Sequence, residues 1–258
     1  MKNSIIRNSI LKKIFIAIFW LLAWQAAAWF VNSTVILPSP IETFSTFFQL
    51  IFHAEFWKTV FFTLLRISAG FLLAIFAGSV LAALTAKSKF CQQLLSPLLH
   101  IIKATPVASF IIITLIWLPN NTIPVWISFL MVLPIIWSNV EKGILNINNE
   151  FLEMASSFRL SKKAIAQNII IPSVMPYFMA GAVTSMGMAW KAGVAAEVLC
   201  TPRSAIGSEL NNSRVYLEIP ELFAWTAAVI IMSILLENAF VRIMKKVGKK
   251  YNVAEVRK

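Results

Sequence analysis

Residues 59–86 read TVFFTLLRISAGFLLAIFAGSVLAALTA, and the only charge among them is Arg66. A helix needs roughly 20 predominantly apolar residues to cross a hydrocarbon core of about 30 Å. Lipid offers no partner to backbone N–H and C=O groups, so a run this long and apolar has to be helical. Working outward, the stretches 14–31, 94–118, 123–140, 174–199 and 222–243 meet or approach the same requirement. The expected fold is therefore all-α and transmembrane, with about six spans in one domain covering residues 1–258.

Composition agrees. Of 258 residues, 59% are hydrophobic and 13% charged, and mean hydropathy is +0.77, which points to a bilayer as solvent. The net charge of +12 does not imply nucleic acid, because the basic residues form short clusters between apolar runs. With the N-terminus inside, the inner segments hold Lys2, Arg7, Lys12, Lys13, Lys87, Lys89, Lys142, Arg159, Lys162, Lys163, Arg242, Lys245, Lys246, Lys249, Lys250, Arg257 and Lys258, whereas the outer ones hold Lys58, Arg203 and Arg214. Seventeen cations against three place both termini in the cytoplasm. The run 14–31 is long for a signal core and contains Trp20, Trp24 and Trp29, so it reads as a retained first span. Cys91 and Cys200 fall on opposite sides of this topology and cannot pair. His53 and His100 lack partners at ligand spacing, and there is no P-loop, dinucleotide glycine pattern or nucleophile elbow. No metal or cofactor is expected.

Between the spans, Pro38 and Pro40 precede Phe44, Phe47, Phe48, Ile51 and Phe52 at near-helical spacing, predicting a short helix in the outer interface. The outer loop 201–221 is long and polar, able to fold over a cavity. The inner segment 141–172 is too polar to span, yet Phe151, Leu152, Ala155, Phe158, Leu160, Ile165, Ile169 and Ile171 recur at helical spacing. Two short helices with a break near Ser161, which caps the second, fit this pattern. Their apolar face requires a protein partner or the membrane surface.

Within this segment Glu153, Met154 and Ala155 are followed by Arg159, then by Ile169, Ile171 and Pro172. The spacing resembles the cytoplasmic motif of the membrane subunits of binding-protein-dependent ABC importers: E-A-A, three residues, G, nine residues, I, any residue, L-P. Met154 replaces an alanine, Arg159 a glycine and Ile171 a leucine. Glycine there lets the chain turn at little cost, so either the turn is made differently or Arg159 adds a partner contact. The resemblance extends to Thr63, Leu64, Leu65, Arg66, Gly70 and Phe71, to Lys103, Thr105, Pro106 and Ala108, and to Trp190, Val194, Ala195, Ala196 and Glu197. Together these are similar to the branch that imports sulfonates, taurine, nitrate and related anions, or thiamine-precursor pyrimidines.

The resemblance implies a type I importer permease in a bacterial cytoplasmic membrane. It implies a homodimer with the path between subunits, cytoplasmic ATPase subunits, an external solute-binding protein, and no ATP site or covalent chemistry in this chain. The inner helix would sit in a groove of the ATPase. Glu153 would give a charge there, Ala155 close approach, and Phe151, Leu152 and Phe158 apolar anchorage, with Met154 and Arg159 completing the motif. The competing reading rests the helix on lipid headgroups.

Intramembrane charges each need a reason. Arg66 either snorkels outward or serves function. Lys103 either meets a carbonyl freed by Pro106 or faces a polar path, which makes Lys103 and Pro106 path candidates. Lys191 and Glu197 are turned about 120° from stacking on one helix, so each should reach a neighbouring helix. Lys191 suits either an anionic solute or a structural carboxylate. Glu197 either closes an outer gate or is solvated. Trp57, Trp117, Trp126 and Trp225 read as interface anchors, and the small residues of 69–83 and 180–193 as close-packing faces. A stand-alone secondary transporter or channel would show internal repeats and charges along several spans, and a membrane-embedded enzyme a His, Asp or Glu cluster; the sequence offers neither.

Overall fold

The computed structural model describes residues 2–251, with side chains at 11–249 and 251. Arg257 and Lys258, and the side chains of Lys2, Arg7 and Lys250, lie outside the described residues. The helices run in order α1 (Lys2–Val31), α2 (Pro40–Phe52), α3 (Ala54–Lys87), α4 (Lys89–Ala104), α5 (Val107–Trp117), α6 (Ile123–Leu145), α7 (Asn149–Ser157), α8 (Lys162–Ile165), α9 (Ile171–Cys200), α10 (Ile206–Val215) and α11 (Ile219–Lys250). Among the described residues five stretches are long and apolar enough to cross a membrane, six if the bent α4–α5 pair counts as one.

The core is a three-helix layer in which α6 lies between α3 and α9. Small residues make this possible: Ala74, Gly78 and Ala82 of α3, and Ala182, Ser185 and Ala189 of α9, are buried. At Gly193 an added Cβ would stand 2.5 Å from Ile67 Cγ1 and 2.7 Å from Ser128 Oγ, so α9 approaches α3 and α6 as closely as glycine permits. Large aromatics fill the flanks with their polar atoms satisfied. Trp137 Nε1 donates to Thr85 Oγ1 at 3.0 Å, and Trp190 Nε1 donates to the Val229 carbonyl at 3.2 Å.

The periphery is apolar and exposed. Phe15, Trp20 and Phe30 of α1 are exposed, and α1 is tied in at its outer end by Trp24 Nε1 donating to the Pro38 carbonyl at 3.0 Å. The expected outer helix is α2, begun by a reciprocal capping box of Ser39 and Glu42 with Pro40 in its first turn.

Three expectations are revised. The span expected over 94–118 is broken into α4 and α5, bent by 104°. Pro106 has no N–H to continue the ladder and holds Thr105 extended at φ −80°, ψ 129°, and the 11 residues of α5 reach only about 16 Å. The span expected over 174–199 starts earlier, because α8 runs through a π-helical turn at Ala166–Ile170 directly into α9. The outer loop 201–221 contains α10, packed on α9 and α11.

Candidate functional site

At the outer end of the core, Glu197 is fully buried. Thr63 Oγ1 donates to Glu197 Oε2 at 2.9 Å, and the Gly207 amide donates to the same oxygen at 3.2 Å. Arg66 Nη1 lies 3.4 Å from Glu197 Oε1. Arg66 also donates to the carbonyls of Ser204 at 3.1 Å and Arg203 at 2.6 Å, and the Ile206 amide donates to Thr63 Oγ1 at 3.0 Å. These bonds pin the start of α10 onto α3 and α9. Gly207 is required there, since an added Cβ would collide with Glu197 Cβ and the Val198 amide. Thr201 and Ser204 take left-handed φ of 43° and 48°, a strained turn that aims two carbonyls at Arg66.

Glu197 is thus not solvated: it reaches a neighbouring helix, and Arg66 reaches outward to meet it. The sequence reading named both residues but missed their pairing, and it missed Thr63 and Gly207 as its donors. The available signal was two opposite charges at the same depth near the outer ends of adjacent spans.

Beside this network lies an outer cavity of about 450 Å³, with Glu55, Glu209, Glu221, His53, Phe56 and Trp225 on its walls. Trp225 is not an interface anchor. It is 3% exposed, stacked on Phe56 with ring centroids 5.1 Å apart, and it donates to Glu221 Oε1 at 3.1 Å. Trp57, Trp117 and Trp126 are exposed, as anchors are. Burial pushes the Glu209 carboxyl above its ordinary value, opposed by a hydrogen bond from Asn212 and assisted by the charge of Glu55.

Lys103, Pro106 and Lys191 are exposed on this single copy, and neither lysine has a hydrogen bond or ion pair among the described residues. Lys103 therefore does not meet the carbonyl freed by Pro106. Lys191 sits on an exposed stripe of α9 with Thr184, Met188, Ala195 and Leu199, beside Gly187, where an added Cβ would meet only open space. The N-terminus of α5 is close in the fold, because Val107 packs against the apolar cluster that holds Ala192 and Ala196.

On the inner side α7 is capped by Asn148, whose side chain accepts from the Glu150 amide. Phe151, Met154 and Phe158, spaced as one helical face, are 50%, 48% and 74% exposed. Glu153 is exposed and its carboxylate has no partner among the described residues. Ala155 was expected to admit a partner, but it is fully buried in its own chain and Leu152 is half-buried; the two lie three residues apart and turn inward together. Ser161 caps α8, accepting from the Ala164 amide at 3.2 Å, as the sequence implied.

The turn after α7 is made as in the glycine-bearing motif. Arg159 adopts φ 51°, its amide donates to the Ser156 carbonyl at 2.9 Å, and the Leu160 amide donates to the Ala155 carbonyl at 3.0 Å. This is a Schellman closure with arginine in the glycine position.

Comparison with known proteins fits this arrangement. A family model described as "binding-protein-dependent transport system inner membrane component" matches residues 70–252. The nitrate import permease protein NrtB of Synechococcus elongatus is 30% identical over 188 residues, 67% of each chain. SsuC of Escherichia coli, whose name gives aliphatic sulfonates as its cargo, is 25% identical over 237 residues, 90% of this chain and 88% of that protein. Among solved structures, an amino acid ABC transporter crystallised with histidines superposes with a TM-score of 0.54 at 14% identity, covering 74% of this chain and 90% of that one, a likeness of fold. The chain belongs to the family of inner membrane components of binding-protein-dependent transport systems.

Proposed function

We propose that this chain, as one permease domain, is the membrane subunit of an ATP-driven importer of a small inorganic or sulfonate-like anion, acting as a homodimer in a bacterial cytoplasmic membrane. ATP hydrolysis is supplied by separate subunits docked on α7, and solute is delivered by an external binding protein. The observation that carries the reading is α7: an exposed apolar face of Phe151, Met154 and Phe158 beside the unpaired carboxylate of Glu153, held out on the inner side by a capped, closed helix. Such a surface is built to be covered by protein.

The preference for an anion rests on Lys103 and Lys191. A lysine at the centre of a span costs about 2.5–3.5 kcal/mol on insertion scales unless water or a partner covers it. A second copy facing the Lys191 stripe would enclose a watered path with positive potential, in line with the nitrate and sulfonate cargo named for the relatives. The carboxylate-lined outer cavity is unsuited to an anion. Glu153→Lys should abolish ATP-driven uptake of nitrate or an alkanesulfonate into proteoliposomes while leaving membrane insertion and thermal midpoint unchanged. Uptake at the wild-type rate would remove α7 from coupling.

A further inference from the structure

Resting on the docking role of α7, we propose that Arg159 reads the partner: its guanidinium pairs with a carboxylate on the ATPase subunit, beside the groove that takes Phe151 and Phe158, and so restricts which ATPase this permease accepts. The left-handed conformation at Arg159 (φ 51°) is disfavoured for a residue with a Cβ and almost free for glycine. The two hydrogen bonds that close the turn would form equally well with glycine there, and no side-chain contact among the described residues rewards the arginine. The Arg159 side chain is exposed and makes no hydrogen bond or ion pair among the described residues. The adjacent acids do not engage it: Glu150 accepts from Asn148 Nδ2 at 3.1 Å, and the Glu153 carboxylate has no partner among the described residues. The backbone bonds that close the turn need no particular side chain. An arginine kept where glycine is preferred, with no side-chain partner among the described residues and flanked by 74%-exposed Phe158, points to a contact made outside the chain.

Charge identifies that contact. Arg159, Lys162 and Lys163 form an exposed basic step after the turn, whereas Glu150 and Glu153 make the preceding helix acidic. An anionic membrane surface would be repelled by the helix that carries the apolar face. A protein groove with a carboxylate at one end and a donor at the other matches both halves. Arginine engages a carboxylate with two parallel N–H donors, so the pair fixes orientation as well as affinity.

The test uses the tagged full-length permease in nanodiscs of neutral lipid, with the ATPase subunit recovered alongside the wild-type chain titrated back at rising salt. Arg159→Gly, which relaxes the turn and cannot unfold it, should weaken binding about tenfold at low salt and flatten the salt dependence. Arg159→Lys should keep most of the affinity, and Arg159→Glu should lose more than Arg159→Gly. Equal affinity and equal salt dependence in all three variants would overturn the proposal, as would effects seen only when anionic lipid is added. Phe151→Ala with Phe158→Ala separates the two levels. If that pair leaves ATPase binding intact, the docking role of α7 falls; if it weakens binding while the Arg159 variants do not, only the Arg159 contact falls.

Discussion

The outer end of α9 and the inner loop before it each present a carboxylate and an arginine, and the fold treats the two sets oppositely. Outside, Glu197 is fully buried and Arg66 is 13% exposed, and between them they engage Thr63, Gly207, Arg203 and Ser204. Inside, Glu153 and Arg159 are exposed and their side chains bond to nothing among the described residues. Both ends contain left-handed residues, but at the outer end one of them, Ser204, offers its carbonyl to the guanidinium of Arg66. Where polar groups are satisfied within the chain they serve its architecture; where they are left open at a capped helix they serve an assembly.

The comparison can be broken most directly at Glu197. Glu197→Ala removes the acceptor of Thr63, Gly207 and Arg66 and leaves a part-buried guanidinium without its counter-charge. It should destabilise the protein by about 3–5 kcal/mol and open residues 201–218 to protease. Glu153→Ala should stay within about 0.5 kcal/mol of wild type. The two are read side by side as thermal midpoints in one detergent, and similar losses would erase the distinction between the ends.

Much of this was legible in the sequence because it depends on local pattern. Apolar runs gave the spans, the near-helical spacing of Phe44, Phe47, Phe48, Ile51 and Phe52 gave α2, and the 153–172 spacing gave both the loop and the family. What escaped depends on encounters between distant segments. Arg66 and Glu197 are 131 residues apart, and only their matching depth near the outer span ends links them. Trp225 looked like an anchor at a span end and is instead stacked on Phe56, because α10 and α2 cover a surface that hydropathy alone assigns to the interface. Ala155 was assigned to a partner because the motif includes it, although its register with Leu152 turns it inward. The break at Thr105–Pro106 was written in the proline, and it was underweighted because 94–118 is apolar on both sides.

A smaller effect sharpens the picture of the outer end. Burial raises the Glu209 carboxyl above its ordinary 4.5, so the folded protein binds that proton more tightly than the unfolded chain does. The associated stability is fully present below about pH 4.5 and is lost as pH rises through the folded value. Thermal midpoints of wild type should therefore fall from mildly acidic to neutral pH relative to Glu209→Gln, whose profile lacks that slope. Parallel profiles would mean that α10 and the cavity wall keep the carboxylate as well hydrated as water does, and that the outer end is less closed than its bonds imply.

The smallest effect concerns the inner turn and bears directly on the contrast. Arg159→Gly frees the left-handed position of a Cβ while leaving the Ser156 and Ala155 acceptors in place. It should stabilise the turn by up to about 1 kcal/mol, after allowing for the greater freedom of glycine in the unfolded chain. That gain should appear as slower hydrogen exchange at the 159 and 160 amides rather than as a large shift in midpoint. Arg159→Lys keeps both Cβ and charge and should exchange as wild type does. Faster exchange in Arg159→Gly would mean that the arginine side chain holds the turn from within. The inner end would then be built like the outer one, and the strain at Arg159 would no longer point to a partner.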